Sequence, residues 1–260
     1  MERIADRTAF ITGGASGIGL AIAEALVAEG ARVVIADWNG EVANREAARL
    51  GDSAMAVVLD VTDRQAWSAA KIAAEQRFGP VEICVNNAGI GPDLNELADM
   101  PVEAFDRLVG IKLTGTFNGI HTLGADMRSR GDGHFVNTAS MAGLTAMARL
   151  GAYTASKFAV VGMSEVLRAE MAPHGVGVSV LCPGMVRTNL ATNTPAASRP
   201  AGMPSDMSSG IDPALVGTQV VEAIRANLMY IITHGEYYPG VAERAAGIAQ
   251  AFAEAPKRNV

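Results

Sequence analysis

The 260-residue chain is poor in cysteine, histidine, aromatic residues and basic surplus, and each shortage closes off a class of function. Its two cysteines, Cys84 and Cys182, sit in runs that read as buried strands and are expected as free core thiols, not as a disulfide or a metal pair. His121, His134, His174 and His234 are scattered without metal-ligand spacing, so no metal centre is expected. With 21 basic residues among 27 acidic ones, a net charge of -6 leaves no basic stripe to neutralise a phosphate backbone, and a nucleic-acid partner is not expected. No stretch approaches the ~18 uninterrupted apolar residues of a membrane span. The opening Met1-Glu2-Arg3-Ile4-Ala5-Asp6-Arg7 is too charged for a signal peptide, so a cytoplasmic protein without membrane contact is expected. Nor does a charge run or Pro/Ser linker split the chain. At 49% hydrophobic residues, one domain over 1–260 is expected.

What the sequence does have is alternation. Short β-branched runs centred on residues 9–12, 32–36, 56–59, 83–85, 134–138, 176–182 and 229–233 alternate with Ala-rich segments over 17–29, 41–50, 64–78, 102–127, 152–172, 213–227 and 240–252. Repeated βαβ units of this kind build a parallel sheet with helices on both faces, here with about seven strands: a doubly wound, Rossmann-type α/β fold. Residues 187–212, rich in Pro, Ser, Gly, Ala and Thr, break the rhythm between two core elements and are expected to act as a substrate lid.

The first strand runs into Thr12-Gly13-Gly14-Ala15-Ser16-Gly17-Ile18-Gly19 and then a helix. Glycines let the backbone turn sharply and approach an anion closely, and the free N–H groups of a helix start attract negative charge. The second strand ends at Asp37, about 20 residues on, where a ribose 2′-hydroxyl needs an acceptor. Glycine turn and carboxylate together indicate a dinucleotide site, and Asp37 favours NAD because it repels a 2′-phosphate. Trp38 is placed to cover the adenosine or to stand exposed.

Tyr153 and Lys157 are i and i+4 on a predicted helix and share one face. A phenol beside a fixed ammonium is a better base than a free one, which suits Tyr153 to acid–base work on an alcohol or carbonyl oxygen. Ser140 is a candidate to hold that oxygen by a hydrogen bond.

The glycine spacing resembles the Thr-Gly-x-x-x-Gly-x-Gly pattern of the short-chain dehydrogenase/reductase family, in its single-domain branch. Agreement continues along the chain. Asp60-Val61 is similar to the family's adenine contact, and Asn86-Asn87-Ala88-Gly89 resembles its Asn-Asn-Ala-Gly motif. Ser140 and Tyr153-Thr154-Ala155-Ser156-Lys157 resemble its catalytic Ser and Tyr-x-x-x-Lys, and Pro183-Gly184, with Val186 and Thr188 beyond, resembles the element bordering the nicotinamide. Lys112 departs from the pattern, since it stands where relatives carry an asparagine that helps hold a water in a proton relay. A second ammonium there is expected to lower the Lys157 pKa by repulsion.

The resemblance implies an NAD-dependent oxidoreductase that interconverts a small apolar secondary alcohol and its ketone, as a homotetramer or homodimer. Met141, Met147 and Met185 are candidates for an adaptable apolar substrate wall. Two other readings stay open: an NADP-dependent carbonyl reductase, and a weakly active dinucleotide-binding regulatory protein, which Lys112 would favour and the intact Ser140, Tyr153 and Lys157 oppose.

Overall fold

The computed structural model describes residues 1–92, 94–188, 190 and 209–256. Seven parallel strands form one sheet in the order β3-β2-β1-β4-β5-β6-β7. They are β1 Thr8–Thr12, β2 Arg32–Asp37, β3 Ala54–Val58, β4 Val81–Asn86, β5 Gly133–Thr138, β6 Val176–Cys182 and β7 Tyr230–Ile232. Helices connect them: α1 Gly17–Ala28, α2 Gly40–Leu50, α3 Arg64–Phe78, α4 Val102–Val109, α5 Gly115–Arg130, α6 Gly151–Met171, α7 Pro213–Ala226 and the C-terminal α8 Tyr238–Glu254. Every residue of β1 and β6 is buried, as strands covered on both faces must be.

Alternation along the strands divides the core into two layers. Ile11, Val33, Val85 and Val136 point to one face and pack with Ile22 and Leu26 of α1 and with Val220 and Ile224 of α7. Their neighbours Phe10, Val34, Cys84 and Phe135 point to the other, where Trp67 of α3, Leu123 and Met127 of α5 and Leu167 of α6 cover them. Phe10 and Trp67 stack with ring centroids 5.4 Å apart. Both cysteines are free and buried, as expected.

The segment 102–127 is helical throughout, as expected, but a five-residue π-helical turn, Gly110–Thr114, joins α4 to α5. Such turns rotate one side chain out of the regular helical succession and recur at functional sites. Of the expected lid over 187–212, positions 189 and 191–208 lie outside the described residues. Its two ends are joined: Val186 bridges Ile211, and Arg187 pairs with Asp212 at 2.8 Å.

His134 in β5 carries a consequence for stability. Its Nε2 is 2.9 Å from Ser179 Oγ, whose own proton goes to the Leu228 carbonyl, so Nε2–H donates. Burial pushes the ring pKa down to about 3, and Nδ1 has no partner. The native ring stays neutral while the unfolded one protonates near ~6.5, so this contribution to stability is complete above that pH and is lost as pH falls towards 3. Denaturant titrations of the wild type should lose up to ~1.4 kcal/mol per pH unit below about 6 from this group, and His134→Gln should flatten that slope.

Candidate active site

Strand order reverses between β1 and its neighbours β2 and β4, and in open α/β sheets the crevice beyond the strand ends at such a point receives the ligand. A cavity of about 380 Å³ lies there. Its wall includes Gly13, Ser16, Gly17, Ile18, Asp37, Trp38, Asp60, Val61, Asn87, Ala88, Gly89, Tyr153, Lys157, Pro183, Gly184, Val186 and Thr188, all of them singled out from the sequence as cofactor residues.

At one end of the cavity the glycines form a cradle. Gly13 and Gly17 have φ of +61° and +54°, in the left-handed region that favours glycine, and a Cβ on Gly13 would come 2.9 Å from Ala88 Cα. Gly19, also expected to bind cofactor, is absent from the cavity wall. A Cβ there would strike the Gly13 carbonyl, so its part is to let α1 start close under the turn. Thr12 Oγ1 accepts from the backbone N–H of Asn87 and of Ala88 at 2.9 and 3.0 Å, and Asn87 Nδ2 donates to the Thr12 and Gly13 carbonyls. These bonds lock the glycine turn to the loop after β4.

Asp37 closes the same end. Its oxygens accept from the backbone N–H of Ala15 at 3.2 Å and of Asn39 at 3.0 Å, which fixes the carboxylate at the rim of the cradle. Trp38 beside it is 69% exposed and lines the cavity with one face. Asp60 is held by Thr62, whose N–H and hydroxyl both donate to Oδ1.

Tyr153, Lys157 and Lys112 line the other end, and Ser140 stands near Tyr153 without being part of the cavity wall. The Ser140 hydroxyl donates to the Pro183 carbonyl at 3.4 Å and accepts from Ala142 N–H at 3.1 Å, and it is near enough to the Tyr153 phenol to favour its ionised form. Lys157 Nζ donates to the Thr138 carbonyl at 2.6 Å and lies 5.9 Å from the Tyr153 ring centre. Burial dominates the titration of these groups. It lifts the Tyr153 phenol above its ordinary value, against the opposing pull of the nearby Ser140, and drops Lys157 to about 8.

Two electrostatic expectations are corrected. Lys157 is not among the causes of the Tyr153 shift in this structure: burial raises the phenol, and only Ser140 pulls it down. And repulsion between the two lysines falls on Lys112, whose pKa is driven well down by burial and by the Lys157 charge, while Lys112 is not among the causes of the Lys157 shift.

The methionines expected to form a substrate wall do not line the described cavity. Met141 is buried with Val160, Val161 and Val180, where its side chain fills core space between β6 and α6. Met147 and Met185 are partly exposed, and Met185 Sδ accepts from Ser209. The apolar wall comes instead from Leu59, Ile90, Ile111, Ala139 and Leu190, none of them singled out beforehand. Ile90 and Ile111 were findable as the apolar neighbours of Gly89 and Lys112. Among the described residues, no cluster of three or more His, Cys, Asp or Glu side chains is placed to hold a metal, and no helix is long and apolar enough to cross a membrane.

Comparison with known proteins settles the family. The short chain dehydrogenase family model matches residues 7–199, which span the glycine cradle, Ser140, Tyr153 and Lys157. The chain belongs to the short-chain dehydrogenase/reductase family. This family member is 37% identical, over 74% of both chains, to a 3-alpha-(or 20-beta)-hydroxysteroid dehydrogenase of Mycobacterium bovis. It is 40% identical to a sorbitol dehydrogenase of Cereibacter sphaeroides over 71% of this chain and 72% of that one. Among solved structures, a short chain dehydrogenase/reductase of Burkholderia phymatum in complex with NAD superposes with a TM-score of 0.88 at 30% identity, covering 100% of this chain and 99% of that one. The protein is therefore an oxidoreductase with the Rossmann-like fold of that family.

Proposed function

We propose that the protein is an NAD-dependent dehydrogenase of apolar secondary alcohols and the corresponding ketones. The observation that carries this reading is the cavity itself, with a glycine cradle and an anchored carboxylate at one end and Tyr153 and Lys157, backed by Ser140, at the other. The residues fit a dinucleotide. Gly13 and Gly17 leave room for a pyrophosphate against backbone N–H groups, Asp37 accepts from the adenosine ribose, Trp38 and Asp60-Val61 flank the adenine, and Lys157 reaches the second ribose. The bound nicotinamide supplies the hydride acceptor or donor, and the protein supplies orientation and electrostatics.

Ser140 holds the substrate oxygen by its hydroxyl, while Tyr153 takes the proton from an alcohol or gives one to a ketone at that oxygen. The apolar residues around this end of the cavity exclude water and favour a hydrocarbon skeleton over a sugar. The hydroxysteroid dehydrogenase name of a relative supports that choice. Assembly into a homodimer or homotetramer belongs to the same proposal and rests on the family resemblance alone.

Because burial raises the Tyr153 phenol, it is protonated at neutral pH and ready to act as an acid. Ketone reduction should therefore be near its maximum at neutral pH and fall at high pH, whereas alcohol oxidation should climb as the phenol ionises. Initial rates in both directions, measured over a pH series with a panel of apolar alcohols and ketones, test this reading. Parallel profiles in the two directions would remove Tyr153 from the proton transfer, and no turnover with any panel member would overturn the assigned substrate class.

A further inference from the structure

The π-helical turn turns Lys112 inwards, and it is the one buried residue of that turn. Its side chain is 3% exposed, and Nζ stands 4.5 Å from the Tyr153 ring centre. On the other side, a Cβ at Gly89 would meet that nitrogen at 3.1 Å. Two lysine side chains thus flank one phenol ring, and no carboxylate among the described residues forms an ion pair with either. Four other ionisable groups line the cavity: Lys157 and Tyr153 from α6, Asp60 after β3 and Asp37 at the end of β2. Cys182 of β6 lies near Lys157.

The reactive end of a nicotinamide cofactor must meet the substrate carbon beside Tyr153, and there the two redox forms differ in charge. The oxidised ring is positive and the reduced ring is neutral, while the pyrophosphate is common to both. We propose that Lys112 discriminates between the oxidised and reduced cofactor: as an amine it tolerates the positive ring, and as an ammonium it repels that ring while still accepting the neutral one. This rests on the reading of the cavity as an NAD site. Burial and the Lys157 charge both disfavour the ammonium, so Lys112 loses its proton before Lys157 does, and acid restores it from solvent. Lys112 is in this sense a specificity residue acting on cofactor charge, not an acid or base for the substrate.

Equilibrium dissociation constants for NAD and NADH, measured by calorimetry without substrate across a pH series, test the proposal. Taking their ratio cancels the pyrophosphate contribution, and any step near pH 8 belongs to Lys157. In the wild type the NAD-to-NADH ratio of dissociation constants should rise roughly tenfold as pH is lowered through the protonation of Lys112, below that of Lys157. Lys112→Met should remove that rise, and Lys112→Arg, which cannot lose its charge, should hold the high ratio at every pH. NADH binding by each variant reports that the site is still folded. A flat wild-type ratio overturns the proposal without any variant, and so does an undiminished rise in Lys112→Met. Failure of the wild type to bind either dinucleotide overturns the NAD reading itself and is distinguishable from both.

Discussion

Tyr153→Phe should lower turnover by ~10²–10⁴-fold in both directions and leave NAD affinity within a few-fold of the wild type. Tyr153 lines the cavity near Ser140, whereas the glycine cradle proposed to hold the cofactor is fixed separately by Thr12 and Asn87. Lys157→Ala should behave differently. It removes the donor to the Thr138 carbonyl and the proposed ribose contact together, so dinucleotide affinity and turnover should both fall. Stopped-flow single turnovers combined with NAD titrations separate the two patterns. Activity of Tyr153→Phe within a few-fold of the wild type would mean that another group moves the proton.

The second large effect concerns cofactor choice. NAD should exceed NADP in kcat/KM by roughly 10²- to 10³-fold, because a 2′-phosphate would be brought against a carboxylate whose two oxygens are already fixed by Ala15 and Asn39 N–H groups. Neither of the nearest cavity side chains, Ser16 and Trp38, supplies a cation to offset the repulsion. Asp37→Ala should narrow the preference by most of that factor, through loss of NAD efficiency and gain of NADP efficiency alike. Competition of the two cofactors in one reaction measures it directly, and equal efficiency in the wild type would contradict the role given to Asp37.

Much of this was legible in the sequence because the signals were local. Strand period, helix length and the glycine turn are each set by a few neighbouring residues, whereas the strand order, with its reversal at β1, is a long-range outcome that repeated βαβ units alone do not fix. The helix at 64–78 was bounded at the residues observed, since Asp63 caps its start and Gly79, with φ of +84°, ends it. The π-helical turn left no such mark. Residues 110–114 are compatible with ordinary helix, and the turn's contact with α6 is a long-range feature that no local pattern reports. Met141 was misplaced for a related reason: a methionine next to Ser140 is equally suited to a pocket wall or to the core, and only the position of Val160 and Val161 on α6 decides for the core. The direction of the lysine repulsion required three dimensions as well, because it depends on which ammonium is better accommodated, and Lys157 has the Thr138 carbonyl as a partner.

The central claim is direct transfer of hydrogen between an apolar secondary alcohol and NAD under the control of Tyr153. It is tested most directly with an alcohol deuterated at the carbinol carbon, incubated with the protein and NAD, followed by mass spectrometry of the recovered cofactor. Deuterium should appear in the reduced nicotinamide with the wild type and be lost in proportion to turnover with Tyr153→Phe. Tight NAD binding without transfer of label from any alcohol of the panel would contradict the account and leave a dinucleotide-binding protein without this chemistry.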